Sequence, residues 1–577
     1  MRTTSSNFLR IVFLIISFIA LDVAGTCIPA YGQHEGHEMN AEVQARLASG
    51  EAIWRMPPMD MSMPMLAGLS TALPPPPPIA PFLPGLGLDP MDVPLAEVPR
   101  FIELEDGDQI VLEATFVRRS LNGHVFIGYG INGQFPGPVL RAKEGSTVSV
   151  RFVNHIEMPS TIRWHGLRVD NAYDGTPVIT QDPVQVGGEF VYELRFSDPG
   201  VFWYHAGVRL DFQVDSGMYG GIIVEPKDTD HYSASDREEV IILDDVLMDD
   251  AGILPFGRDV PNHTLMGRFG NTFLINGSDR FHLMASKGER VRLHIINAAN
   301  TRTYNLTFDG IPLRIVASDL SRYEKEVPAN SVVIAPGERY VVELELENEG
   351  MFNIKNSIQA IDHFRGVFNF IETEIGMIHV GAETINDVVS KEEARTNQSV
   401  SEGIDPYRSF FEKEPDKKIE LTLKVQDLPL PLMMMMETDT LYVPPVEWND
   451  TMPMMNWLST GSQVFWVMRD LDTGLENMEI YWGFDEGDVV KIRIFNDPRS
   501  LHPMNHPLHL HGQRFLVLDV DGKRNENLVW KDTAIIPVAS TVDILVDMSN
   551  PGEWVMHCHI AEHLHAGMML SFGVWNE

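Results

Sequence analysis

The sequence predicts an all-β protein of three consecutive β-sandwich domains, and two internal repeats carry that prediction. The first repeat is a run opened by glycine and closed by asparagine, nine residues apart: Gly145 to Asn154, Gly288 to Asn297 and Gly487 to Asn496. Inside these runs Val148, Val150 and Phe152, then Val291, Leu293 and Ile295, then Val490, Ile492 and Ile494 alternate with other residues. That period of two describes a strand with one buried face. The second repeat closes each copy. Pro199-Gly200 leads in five residues to His205, Glu349-Gly350 leads in five to Lys355, and Pro551-Gly552 leads in five to His557. At 577 residues the chain is too long for one hydrophobic core, and the repeats place sandwiches at roughly 98–227, 236–385 and 417–577. The middle copy has lysine where the others have histidine, so metal chemistry is expected only in the first and last.

The segments between and before these units read differently. Residues 1–32 carry Arg2 and Arg10, an apolar run from Ile11 to Ala20, and small residues at Ala30 and Gly32, the pattern of an export signal. The apolar run is short for a membrane span. A periplasmic or secreted protein with no stable span after cleavage is therefore expected. Cys27 lacks the small residue before it that a lipid anchor needs. Residues 33–97 form a His/Met/Pro-rich tail, with His34, His37 and Met39, then Met56, Met59, Met61, Met63 and Met65, then the stiff run Pro74 to Pro78. Thioethers suit Cu(I), so the tail either collects copper or is only a Met-rich leader. Residues 386–416 read as a charged linker with some helix. Met433 to Met436, with Met452, Met454 and Met455, form an insertion that is either a buried plug or a Cu(I) docking surface. The formal charge of −37 argues against nucleic acid as a partner and for a soluble particle that attracts cations.

The chemistry is concentrated near the C-terminus. In His557-Cys558-His559-Ile560-Ala561-Glu562-His563-Leu564-His565-Ala566-Gly567-Met568 a thiolate is followed by an imidazole five residues later and a thioether ten residues later. With His506 from His506-Pro507-Leu508-His509-Leu510-His511-Gly512, these make the Cys, two His and axial Met of a blue-copper site. The histidines at 509, 511, 557 and 559 alternate as strand residues do, placing Cys558 on the opposite face from its two neighbours. One strand can then serve two metal centres. After signal cleavage Cys558 is the lone cysteine, which is better explained as a metal ligand than as half of a disulfide. A redox-silent zinc ion would have no obvious use for such a set.

These two segments resemble the third-domain motifs of the multicopper oxidases, the family of laccases and copper-resistance oxidases. The resemblance extends over residues 98–577. It is carried also by Asn132-Gly133-Gln134-Phe135-Pro136-Gly137-Pro138, Trp164-His165-Gly166, Thr180-Gln181-Asp182-Pro183, Trp203-Tyr204-His205 and Gly217-Met218-Tyr219-Gly220. It implies three cupredoxin-like Greek-key domains. It also implies one-electron oxidation of a donor at a type 1 copper held by His506, Cys558, His563 and Met568, and dioxygen reduction at a trinuclear copper centre. The family builds that centre from eight histidines in four His-x-His pairs. Here the pairs His509/His511 and His557/His559 are whole, while the first-domain pairs retain only His165 and His205. Arg163 stands where the first pair begins, in place of a type 2 copper ligand, and Gly207 stands in place of one type 3 ligand. Arginine is permanently cationic and offers no lone pair, and glycine has no side chain. Asp174 matches the family acid that helps deliver protons near the type 2 copper, or else it caps an Asp-Gly turn. Leu564 stands where some copper-oxidising relatives carry an acid, and Glu562 precedes the type 1 histidine.

Two functions follow from this pattern. The first is an exported copper oxidoreductase that takes electrons near His506 and His563, with Cu(I) the first donor class and phenol-like molecules the second. The alternative is a type 1 copper electron-transfer or copper-binding protein that no longer reduces dioxygen. A scaffold without redox chemistry would not need the Cys558 set. His502 and His565 are expected to be exposed or hydrogen-bonded, and His124, His294 and His363 have no partner at ligand spacing.

Overall fold

The structure is a computed structural model that describes residues 82–257, 260–362, 367–384, 394–426, 446–448 and 463–576. The expected signal, the His/Met tail with its proline run, His363, and the methionines at 433–436, 452, 454 and 455 lie outside the described residues. Each of the three repeated strands forms. They run Thr147–Asn154, Arg290–Asn297 and Asp488–Asn496. The glycines sit in the turns ahead of them at φ +83°, +86° and +93°, a backbone conformation that a Cβ would strain.

The copies are equivalent in their pairing as well as in sequence. Each repeated strand lies parallel to one long strand, respectively Gln109–Leu121, Arg237–Val246 and Lys417–Val425. On its other edge each pairs antiparallel, with Glu189–Arg195, Arg339–Glu345 and Thr541–Met548. Among the described residues there are six sheets of four or more strands, two per copy, which is the layer count of three sandwiches. In the first copy the inward residues Leu112 and Val150 of one sheet meet Trp164 and Tyr204 of the other in one apolar core. In the third, Ile492 and Ile494 meet Leu508, Trp554 and Leu570.

The asparagine that ends each repeated strand has a structural task. All three are buried. The side-chain amide of Asn154 donates to the carbonyls of Met158 and Val184, that of Asn297 to Arg302 and Ile334, and that of Asn496 to Met504 and Ile536. An amide with two donors satisfies both carbonyls at once, which a hydrophobic residue of similar size cannot do. The same asparagine recurs three times because the same strand-to-loop exit recurs three times.

The segments carrying the site motifs are the last two strands of one first-copy sheet and an adjacent inner pair of one third-copy sheet. Ile162–His165 pairs with Gly200–Ala206, opposing Arg163 to His205 and His165 to Trp203. His506–Leu510 pairs with Gly552–Cys558, opposing Leu508 to Cys558 and His509 to His557. The middle copy has Lys355 at the equivalent place, ion-paired with Asp309 and Glu372. Between the second and third copies lie a helix, Gln398–Ile404, and a 3-10 turn, Asp405–Phe410. Among the described residues no helix is long and apolar enough to cross a membrane.

Replacing Asn297 by alanine leaves two buried carbonyls without donors. We expect a loss of about 2 kcal/mol in urea unfolding.

Candidate metal centres

The register of the two C-terminal strands sends neighbouring side chains to opposite faces. On one face Cys558 meets His506 and His563. The Cys558 sulfur lies 3.6 Å from His506 Nδ1 and 3.9 Å from His563 Nδ1, and the two Nδ1 atoms lie 3.3 Å apart. His563 is brought in by the short helix Ala561–His565 that follows the strand. Met568 is fully buried, its N–H donating to the His563 carbonyl and its own carbonyl accepting from the Cys558 N–H, so the loop closes on the same cluster. The Trp466 ring covers it, with centroids 4.1 Å from His563 and 4.9 Å from His506.

Burial decides the protonation of these groups. It pushes His506 down to about 3 and His563 well below its ordinary value, so both present neutral imidazoles. Burial also pushes the Cys558 thiol far up, so a thiolate there needs a cation beside it. Neutral imidazoles and one soft sulfur, all buried, are the conditions under which a metal replaces a proton.

On the other face of the same strands the remaining histidines meet those of the first copy. One ring nitrogen from each of His165, His205 and His559 lies within 4.8 Å of the other two, and all three residues are buried. His509 stacks on His165 at 3.7 Å, while His511 and His557 face each other through Nε2 atoms 3.0 Å apart. All six expected histidines are thus gathered in one buried space between the first and last copies.

Arg163 and Gly207 have reshaped one side of that space. Arg163 is buried and forms an ion pair with Asp174, and also donates to the Asp174 carbonyl at 2.7 Å. Asp174 accepts a 2.5 Å bond from the Thr176 hydroxyl and lies 3.3 Å from His511 Nδ1. Burial opposes its ionisation, but Arg163 and His511 outweigh burial and hold the carboxyl far below the usual range. Asp174 also ends the 3-10 turn Asn171–Tyr173, so the turn and the buried contact coexist. At Gly207 a Cβ would stand 2.4 Å from the Thr161 hydroxyl, 2.8 Å from the Gly175 carbonyl and 3.0 Å from Arg163 Cγ. The position vacated by a side chain is therefore filled by Thr161 and Arg163, and no histidine has moved into it.

The structure surrounds His509 with groups that lie outside the sequence motifs. Asp532 and Thr533 sit beneath the stacked pair. The Asp532 carboxylate lies 3.2 Å from both His165 Nε2 and His509 Nδ1, and the Thr533 hydroxyl lies 3.0 Å from the same two nitrogens. Arg339 of the middle copy grips Asp532 with two bonds, of 2.7 and 2.5 Å. Burial opposes ionisation of Asp532, and the guanidinium outweighs it. Next to it Gly337, at φ +83°, packs against the cluster so closely that a Cβ would stand 2.9 Å from His559 Cδ2 and 3.0 Å from His165 Cε1. The copy without ligands thus supplies the floor under those that have them. Pro336-Gly337 was the available signal in the sequence, since the same turn pair opens two of the strand repeats.

His502 is fully buried near His563 and lowers its basicity, while His565 pairs with Asp211 at 3.1 Å. His294 lies 3.2 Å from Glu238. Beside the helix that carries His563 a cleft of about 750 Å³ opens, lined by Arg209, Asp211, Phe465, Glu562 and His565 among others. Burial, then Asp211 and Asp215, raise the Glu562 carboxyl well above its ordinary value, and its Oε1 accepts from the Asn300 amide at 3.1 Å.

A fold of three sandwiches with a Cys-His cluster on one face of a strand and a histidine cavity on the other defines a copper oxidoreductase of the multicopper oxidase class. The chain belongs to that family: multicopper oxidase profiles match residues 115–229, 230–370 and 451–577. It is 26% identical over 490 residues to laccase-1 of Cryptococcus neoformans, covering 76% of each chain. It is also 26% identical over 491 residues to the multicopper oxidase MmcO of Mycobacterium tuberculosis, covering 78% of this chain and 84% of the relative. In fold it is similar to a Campylobacter jejuni multicopper oxidase described as a metallo-oxidase, with TM-score 0.62, 21% identity, and coverage of 85% of this chain and 99% of the other.

Two outcomes test this geometry. Arg163→Met strands a buried carboxylate, which costs about 3–5 kcal/mol at neutral pH. The native Asp174 contribution is complete above its unfolded value of about 3.9 and is lost as the pH falls through its depressed folded value. In the variant the folded value rises instead, so denaturant midpoints should increase from pH 7 to 5. Gly337→Ala should cost about 1–3 kcal/mol and lower copper retention, although residue 337 carries no ligand.

Proposed function

We propose that the protein is an exported oxidoreductase that takes single electrons from a donor at a type 1 copper, which His506, Cys558, His563 and Met568 would hold. The observation that carries this reading is the convergence of the Cys558 sulfur and two Nδ1 atoms in a buried pocket. When bound, copper would supply a one-electron redox couple. The chain's own residues do the rest. Trp466 seals the pocket, Cys558 supplies a polarisable sulfur, and the peptide link to His557 and His559 joins the two faces of the strand. His557 Nδ1 lies 2.7 Å from the Cys558 carbonyl, which gives a second short contact from that residue toward the histidine cavity.

The cleft beside the His563 helix is where a small donor would dock, and its polar rim, Arg209, Asp211 and His565, suits a polar one. Cu(I) and phenol-like molecules are the two donor classes proposed, with dioxygen as the acceptor at the histidine cavity. Arg163 and Gly207 leave the trinuclear centre incomplete. They also favour a second reading, a type 1 copper electron-transfer protein that does not reduce dioxygen. Asp174, in the reading by family pattern a proton-delivering acid, is here tied to Arg163 and would donate no proton near neutral pH.

Cys558→Ser tests the type 1 assignment. We expect one copper fewer per chain, loss of the thiolate-to-copper absorption in the visible, and Cu(I) and phenol oxidation reduced to background. Retention of the visible band in that variant contradicts the reading.

A further inference from the structure

The six histidines in the cavity are not equivalent in their hydrogen bonding. Nδ1 of His165, Nε2 of His205 and both ring nitrogens of His559 are buried without a hydrogen-bond partner. Such atoms are costly in a dry interior unless something else binds them. His165 uses its other nitrogen on Asp532 and Thr533, and His205 turns Nδ1 to the Ala206 carbonyl at 2.8 Å, so each ring is held with one nitrogen left over. This is the arrangement by which outer partners orient metal-binding imidazoles.

The other side of the cavity is hydrogen-bonded to itself. Arg163 pairs with Asp174, Asp174 faces His511 Nδ1 at 3.3 Å, His511 Nε2 faces His557 Nε2 at 3.0 Å, and His557 Nδ1 faces the Cys558 carbonyl at 2.7 Å. The chain of contacts is continuous from Arg163 to the cysteine. Of the three histidines on this side only His509 keeps an unpartnered nitrogen, Nε2. A guanidinium here supplies a fixed positive charge beside these rings, and Gly207 leaves it the room, since a Cβ there would meet Arg163 Cγ at 3.0 Å.

We propose that the histidine cavity is a mononuclear metal site formed by His165, His205 and His559, with the Arg163–Asp174 pair permanently filling the space of the other ions, so that the copper-loaded core carries two coppers per chain. The proposal deepens the reading of the preceding subsection, because it takes the Cys558 cluster as the first copper. The site is a three-imidazole ligand set, which suits Cu(II) or Zn(II) alike, and one ring nitrogen from each histidine already lies within 4.8 Å of the other two.

The test compares full-length wild type with His205→Ala and His205→Gln, each loaded with Cu(II), passed over a chelating resin and measured by mass spectrometry and electron paramagnetic resonance. The comparison cancels copper held by other parts of the chain. The expected result is one copper fewer in both variants, loss of a magnetically isolated nitrogen-ligated copper signal, and an unchanged visible absorption from the Cys558 site. Equal melting temperatures of the metal-free proteins show that the variants fold. If His205→Ala does not fold, His205→Gln and the wild-type spectrum decide, since an isolated second signal supports the proposal and a spin-coupled copper pair overturns it. An unchanged copper count in a folded variant also overturns it. Loss of the visible band in the wild type sinks the type 1 reading instead, so the two failures are distinct.

Discussion

Everything chemical in this protein depends on the alternation of side chains along the Gly552–Cys558 strand and its fixed register against His506–Leu510. A shift of one residue would send Cys558 into the histidine cavity and His557 into the apolar core. The register is secured by large buried neighbours, Trp554, Met556 and Leu570, which pack in the same core as Cys558. Core packing therefore does more than stabilise the last domain. It assigns the sulfur to one metal pocket and the imidazoles to another.

The histidine cavity has a different support. Its walls come from the first and last copies, and its floor from the middle one, through Gly337 and the Arg339–Asp532 bridge. A buried ion pair of this kind is weak evidence for added stability, because desolvation offsets much of the attraction. It does fix geometry. Asp532 can face His165 and His509 together only while Arg339 holds it, and Arg339 is further anchored by the Val201 carbonyl of the first copy. Three domains thus meet at one carboxylate, and the domain lacking ligands is needed to orient those of its neighbours.

Much of this was legible in the residues themselves. The Gly-to-Asn repeats gave three equivalent strands, and the His-x-His alternation gave the two faces. The spacing of His506, Cys558 and His563 gave a cluster that the fold does close. What the sequence could not show lies in contacts between distant segments. Asp532 and Thr533 read as an ordinary polar pair until Arg339, nearly two hundred residues away, is placed beside them. Gly207 read as a vacancy, whereas Thr161 and Arg163 have taken the space, so that glycine is required there. His502 was expected at a surface or in a hydrogen bond, and the structure buries it completely, which excludes the surface. The Met-rich segments lie outside the described residues, and their two readings stand as the sequence left them.

The most direct measurement of the central claim is a crystal structure of the copper-loaded protein with anomalous scattering collected at the copper edge. The account predicts a strong peak bonded to Cys558 Sγ and to the Nδ1 atoms of His506 and His563. A fully loaded crystal with no copper at that cluster, or with Cys558 turned away from both imidazoles, would contradict it.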